Sequence, residues 1–188
     1  TLFRSASSAS AIVDLVRGRV KDVYGAGLDE GFTRCTMVNV PKGSTIHVDR
    51  IFGGGYGKRN TSPCDTYLAM ISYSSDKAIA EGNADDTYPN LNGGIDTHYA
   101  GIYGGNNNCR RTLYSKVNIN APVYNGSTNG TIKYTARVFG GGYGPDTWSQ
   151  YTEVNLNEGA SVYEVYGGGK AGRGLNTASV AEWTTAAA

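Results

Sequence analysis

The chain has 188 residues, enough for one domain with its own core. Its 17 basic and 16 acidic residues leave a net charge of +1, which argues against a nucleic-acid binder and against a charged interaction tail. Charged residues make up only 18%, glycine contributes 27 residues, and 14 tyrosines stand against 4 phenylalanines. Such a chain is poor in helix formers and rich in strand and turn residues, so it reads as an extracellular all-β protein.

The first residues, TLFRSASSAS, lack the apolar stretch of a signal peptide, and the chain does not begin with Met. Thr1–Ser5 translates a string such as ACG CTC TTC CGA TCT, which resembles the end of a DNA-sequencing adapter. Residues 1–5 are therefore either read-through at a contig edge or an ordinary N-terminal segment, and the chain is expected to be a fragment. Residues 1–22 include ASAIVDLVRGRVKDV, read as a short helical cap or as a first partial coil. A helix there would block edge-to-edge pairing at an open end.

From residue 23 to 172 a unit repeats. Val23-Tyr24-Gly25, Ile51-Phe52-Gly53, Ile102-Tyr103-Gly104, Val138-Phe139-Gly140 and Val165-Tyr166-Gly167 all read β-branched, aromatic, glycine. The aromatics lie 28 (24 to 52), 51 (52 to 103), 36 (103 to 139) and 27 (139 to 166) residues apart. The long interval is expected to hold two units, one without its glycine corner; the 36-residue interval is one unit plus an insertion. Val38-Asn39-Val40, Val117-Asn118-Ile119 and Val154-Asn155-Leu156 form a second landmark ahead of three corners.

Between the landmarks, residues 43–52, 130–139 and 159–166 alternate in period two and read as strands. One unit is thus a short strand, a turn at Gly, a longer strand and a glycine corner. Residues 64–75 read as a strand pair, and residues 81–94 as a polar loop. A period near 27 residues with Gly corners fits a right-handed parallel β-helix, or β-solenoid, of about five to six coils. One coil cannot bury its inward residues alone, so stacked coils pair backbones and bury columns of like side chains. Tyr24, Phe52, Tyr103, Phe139 and Tyr166 are expected to form one column. The corner glycines are expected to supply positive φ and close approach between coils. The alternative is a β-sandwich, which requires antiparallel pairing throughout. Residues 173–188 carry weak signal and read as a frayed or truncated end.

A glycine cluster can also cradle a phosphate, but Gly57-Lys58-Arg59 and Gly169-Lys170-Ala171 both fail the P-loop pattern. The run Gly167–Gly172 satisfies G-x-G-x-x-G without the strand–helix–strand context that gives it meaning. No nucleotide, cofactor or metal is implied, nor does any apolar run suit direct membrane insertion.

Cys35 and Cys64 follow their corner aromatics by 11 (24 to 35) and 12 (52 to 64) residues, so they are either small buried hydrophobes or a disulfide between coils. Cys109 is off this phase and reads as alone. His47 and Asp49 share one strand face, as do Asp96 and His98, and both pairs read as solvated. Asp49, Asp85, Asp86, Asp96 and Asp146 are the acids a polysaccharide-active enzyme on this scaffold would use. Tyr56, Tyr143 and Trp148 follow corners and are the candidate contact surface for a glycan or a protein, with capping of the inner stack as the other reading.

With IFGGGYG at 51–57, VFGGGYG at 138–144 and VYGGGKAG at 165–172, the chain resembles the glycine-rich β-solenoid repeats of large surface proteins of gut bacteria. The resemblance covers residues 20–172 and implies an adhesin-like architecture without supplying catalytic residues. The expectation is a structural or adhesive repeat module of a secreted or cell-surface bacterial protein. Its partners would be a glycan or a surface protein of a host or neighbouring cell, not nucleic acid. The alternative is a lyase or hydrolase acting on polysaccharide.

Overall fold

A computed structural model of the chain describes residues 7–29, 31–57, 64–77, 79–80, 88–89, 95–96, 101–125, 134–144 and 147–170. All regular structure among them is strand. The strands fall into five successive layers. The first holds β1 (Ser7–Asp14) and β2 (Arg17–Tyr24). The second holds β3 (Gly31–Val40) and β4 (Thr45–Phe52). The third holds β5 (Cys64–Tyr73), β6 (Ile79–Ala80), β7 (Tyr88–Pro89), β8 (Ile95–Asp96) and β9 (Gly101–Tyr103). The fourth holds β10 (Arg111–Ile119), β11 (Tyr124–Asn125), β12 (Tyr134–Thr135) and β13 (Arg137–Phe139). The fifth holds β14 (Trp148–Leu156) and β15 (Glu164–Tyr166).

Two parallel sheets result. One runs β1-β3-β5-β10-β14, the other β2-β4-β9-β13-β15, with β6, β11 and β12 as side branches of the second. Among the described residues, antiparallel pairing is confined to β7 with β8 and β11 with β12. All the long strands pair in parallel, so the antiparallel pairing that a sandwich requires is not met. Val38, Ile71 and Val117 stack in one column, and Val48, Ile51, Ile102 and Val138 line the facing sheet of the same buried core.

Several expectations change. Of the two readings of residues 1–22, the described part, 7–22, follows the first coil and not the helical cap: β1 and β2 pair in register with β3 and β4 as a first layer. The 51-residue interval holds one layer, because Arg50–Phe52 pairs directly with Gly101–Tyr103. The ladder shows why. β4 pairs first with β6 at His47 and Val48, then with β9 from Arg50, so the chain between 80 and 101 is an insertion into one strand position. Residues 64–73 form one strand, not a pair. The first strand of a unit is not short either: β3, β5, β10 and β14 are 9 or 10 residues long.

These long strands bend at a fixed place. Thr33 and Thr36, Thr66 and Ala69, and Thr112 and Ser115 are buried, with two residues between instead of one. The ladder skips a residue at the same spot, passing from Thr33↔Thr66 to Cys35↔Leu68. Every strand does this together, so the bend is a property of the stack and not a bulge in one chain. Side chains alternate strictly beyond it, as period-two geometry requires.

The corner glycines behave differently from the expectation. None of Gly53–Gly55, Gly140–Gly142 or Gly167–Gly169 has positive φ; that conformation falls to Asp29, Asn108 and Gly144, one residue past the corner bridge. The glycines are needed for closeness. A Cβ on Gly25, Gly53, Gly104 or Gly140 would lie within 3.0 Å of a carbonyl oxygen in the next layer. Their N–H groups donate to Phe52, Tyr103, Phe139 and Tyr166 carbonyls of that layer at 2.8–3.0 Å. Inside the bend, the Thr36 and Thr152 hydroxyls donate to the Gly53 and Gly167 carbonyls at 2.5 Å, and Ser115 does the same to Gly140.

The cysteines also depart from their phase. Cys64 and Cys109 form a disulfide, Cα atoms 5.3 Å apart, and Cys35 is free. The corner-to-strand connector varies, from Leu28 to Phe32 in one layer and from Tyr56 to Asp65 in the next. Cys35 therefore pairs with Leu68, and Cys64 sits four residues earlier on its strand. Residues 1–5 and 173–188, set apart in the sequence, lie outside the described residues.

Candidate functional site

Aromatic side chains dominate two places, and both follow from the layer period. In the corner, Tyr24, Phe52, Tyr103, Phe139 and Tyr166 stack with centroids 4.8–5.0 Å apart and planes within 12°. This is the column read from the sequence. Phe52, Tyr103 and Phe139 are its buried middle.

Tyr56 and Tyr143, two of the three predicted contact residues, lie on the corner ladder Leu28-Tyr56-Asn107-Tyr143-Lys170. Tyr143 turns its ring against the column, 5.4 Å and 71° from Tyr103. Tyr56 lies 5.3 Å from Tyr24 at 47°. Both are half-buried and pack against the stack. Lys170 Nζ stands 5.8 Å over the Tyr143 ring and the Arg50 guanidinium 5.9 Å from it. Trp148 lies on the other sheet, in register with Arg111 and, one layer further, Asp65. The Arg111 guanidinium sits 5.8 Å over Trp148 and pairs with Asp65 at 3.2 Å. The three predicted residues thus divide between the corner ladder and the sheet that ends in β14.

A second aromatic row went unread. Tyr67, Tyr114 and Tyr151 sit at the strand bend, 44%, 40% and 54% exposed. Tyr67 meets Tyr114 edge-on at 5.5 Å, and Tyr114 stacks on Tyr151 at 5.1 Å and 12°. Phe32 is exposed on the same sheet. The available signal was the pattern of small residues three positions apart around each tyrosine, Thr66 and Ala69, Thr112 and Ser115, Ser149 and Thr152. Recognising it requires the strands to be aligned first.

Polar groups pin the layers at and beside the corner. Arg50 holds Asp22 with two hydrogen bonds of 2.7 Å. Burial disfavours the Arg50 charge, but the bonded Asp22 carboxylate outweighs it and raises the guanidinium pKa. Burial, helped by Asp22, pushes the Tyr24 phenol up to about 12. Asn107 donates to that phenol at 3.1 Å. Asn106 stands where other corners have their third glycine and is fully buried. Its Oδ1 accepts from the Gly55 N–H and the Thr66 hydroxyl, and its Nδ2 donates to the Arg111 carbonyl at 2.8 Å.

Of the candidate acids, Asp49 is on the outward face of β4 beside His47, as alternation predicts. Asp85, Asp86 and Asp146 lie outside the described residues, and for Asp96 only the backbone of β8 is described. Among the described residues no group of three metal-ligating side chains converges. No protein-family model matches the chain, and neither a curated protein nor a solved structure does.

Proposed function

We propose that the chain is a right-handed β-solenoid module of a secreted or cell-surface protein, structural and adhesive in role. The observation that carries this reading is the exposed tyrosine row along in-register parallel layers. Parallel layers set side chains at fixed intervals of about 4.8 Å along the stack. Tyrosine offers a flat apolar ring with a polar tip, which suits sugar rings and protein surfaces. The buried column and corner glycines are spent on holding layers together, whereas the row at the bend is open on one side.

The partner class favoured here is carbohydrate, with a surface protein as the alternative. Binding of the purified chain to a panel of immobilised glycans tests it. Binding that Tyr114→Ala and Tyr151→Ala reduce at least tenfold, while Tyr56→Ala leaves it intact, is the expected result. Binding that depends on Tyr56 and Tyr143 instead moves the contact surface to the corner. No binding to any glycan, with capture of a surface protein, replaces the partner class.

A further inference from the structure

The two aromatic stacks differ in chemistry as well as in exposure. Along the corner column tyrosine and phenylalanine alternate, Tyr24-Phe52-Tyr103-Phe139-Tyr166, so no two stacked neighbours are both phenols. At the bend, Tyr114 and Tyr151 are both phenols, both exposed, and register partners on β10 and β14. Their rings stack at 5.1 Å and 12°. Among the described residues no hydrogen bond engages either hydroxyl. The Tyr24 hydroxyl, by contrast, accepts from Asn107, and the Tyr166 hydroxyl donates to Glu164.

Parallel, in-register pairing sets like atoms opposite like atoms. The ring carbons beside the Tyr114 hydroxyl therefore lie next to those beside the Tyr151 hydroxyl. Tyr67 meets Tyr114 edge-on at 64°, which does not match the two rings atom for atom. Groups held side by side react with each other ahead of groups that must meet by diffusion.

We propose that Tyr114 and Tyr151 are a site of oxidative cross-linking, joined ring to ring as dityrosine when hydrogen peroxide and a haem peroxidase act on the chain. Each phenol gives up one electron and one proton. The peroxide takes both pairs and leaves as two waters. The two phenoxyl radicals combine through one new carbon–carbon bond between the carbons ortho to the oxygens. The hydrogen on each of those carbons then moves to its own phenol oxygen, which restores both rings and both hydroxyls. The pair has lost two hydrogens in all. The new bond ties layer four to layer five, as the Cys64–Cys109 disulfide ties the start of β5 to the residues just ahead of β10. It draws on the register and the exposed phenols, and not on the glycan reading.

The dilute purified chain, treated with hydrogen peroxide and a haem peroxidase, digested and mapped by tandem mass spectrometry, tests this. The expected product is a monomer with a Tyr114–Tyr151 linkage, two hydrogens lighter than the parent chain. Tyr114→Phe and Tyr151→Phe keep the rings and should each lower the yield of intrachain dityrosine at least about tenfold. Tyr67→Phe should leave it unchanged. Linkage found only between chains overturns the proposal. So does an intrachain linkage formed chiefly at other tyrosines, or no dityrosine at all. Glycan binding by the untreated chain reports on the adhesive reading separately, and its failure leaves this linkage untouched.

Discussion

Two stacks of aromatic rings run across this molecule, and they have different fates. In the corner column the middle rings, Phe52, Tyr103 and Phe139, are at most 5% exposed, while Tyr67, Tyr114 and Tyr151 at the bend are at least 40% exposed. The column repeats an aromatic at one register position in all five layers, whereas in the row Tyr114 and Tyr151 are register partners and Tyr67 stands one residue earlier, before Leu68. The column forms a buried cluster of its own at the corner and is clamped by glycines that let the layers close up. The row stands outside on the bend, where small inward hydroxyl residues fill the space beneath it. The same period therefore yields a stabilising device in one place and an available surface in the other.

Substitutions can break that contrast, and the largest effect is expected in the column. Phe52→Ala should cost about 3–5 kcal/mol in chemical denaturation, through lost burial and a cavity between two stacked rings. A cost below about 1 kcal/mol would mean the column collapses freely and is no more structural than the row. Removing the disulfide by Cys109→Ser should cost about 3 kcal/mol, since it closes a loop with a sequence separation of 45 residues. Reducing agent should shift the parent chain by a similar amount and leave the variant unmoved.

Gly104→Ala is expected to cost about 2 kcal/mol, because a Cβ there meets the Gly140 carbonyl as well as Val117 and Ser115. Gly18→Ala makes a poor control because its φ is +111°; Gly27→Ala, with nothing within 4 Å, is the proper one. Equal losses at Gly104 and Gly27 would refute close approach as the reason for the corner glycines.

A smaller effect is set by pH. Tyr24 stays protonated to about 12 in the folded chain, against 10.0 when unperturbed. Its folded pKa is raised, so its contribution is fully present below pH 10 and is lost as pH rises through about 12. Stability measured across that window should fall less steeply in Tyr24→Phe. The smallest change in stability is expected in the row. Tyr151→Ala should stay within about 0.5 kcal/mol, as exposed positions usually do, while abolishing the proposed binding. A loss as large as that of Phe52→Ala would make the row structural.

The amino-acid sequence by itself determined the strand content, the five corners and the membership of the aromatic column. Those signals are local: a β-branched residue, an aromatic and glycines need only their own neighbours to be legible. It did not determine that 52 and 103 belong to adjacent layers, that Cys64 bonds Cys109, or that the corner glycines serve closeness more than positive φ. Nor did it single out Tyr67, Tyr114 and Tyr151. Each of these depends on which residues face one another across layers. Insertions and connectors of unequal length shift that correspondence, so counting from the corner gives it wrongly. Only the hydrogen-bonded register, which aligns Cys35 with Leu68 and Arg50 with Gly101, decides it.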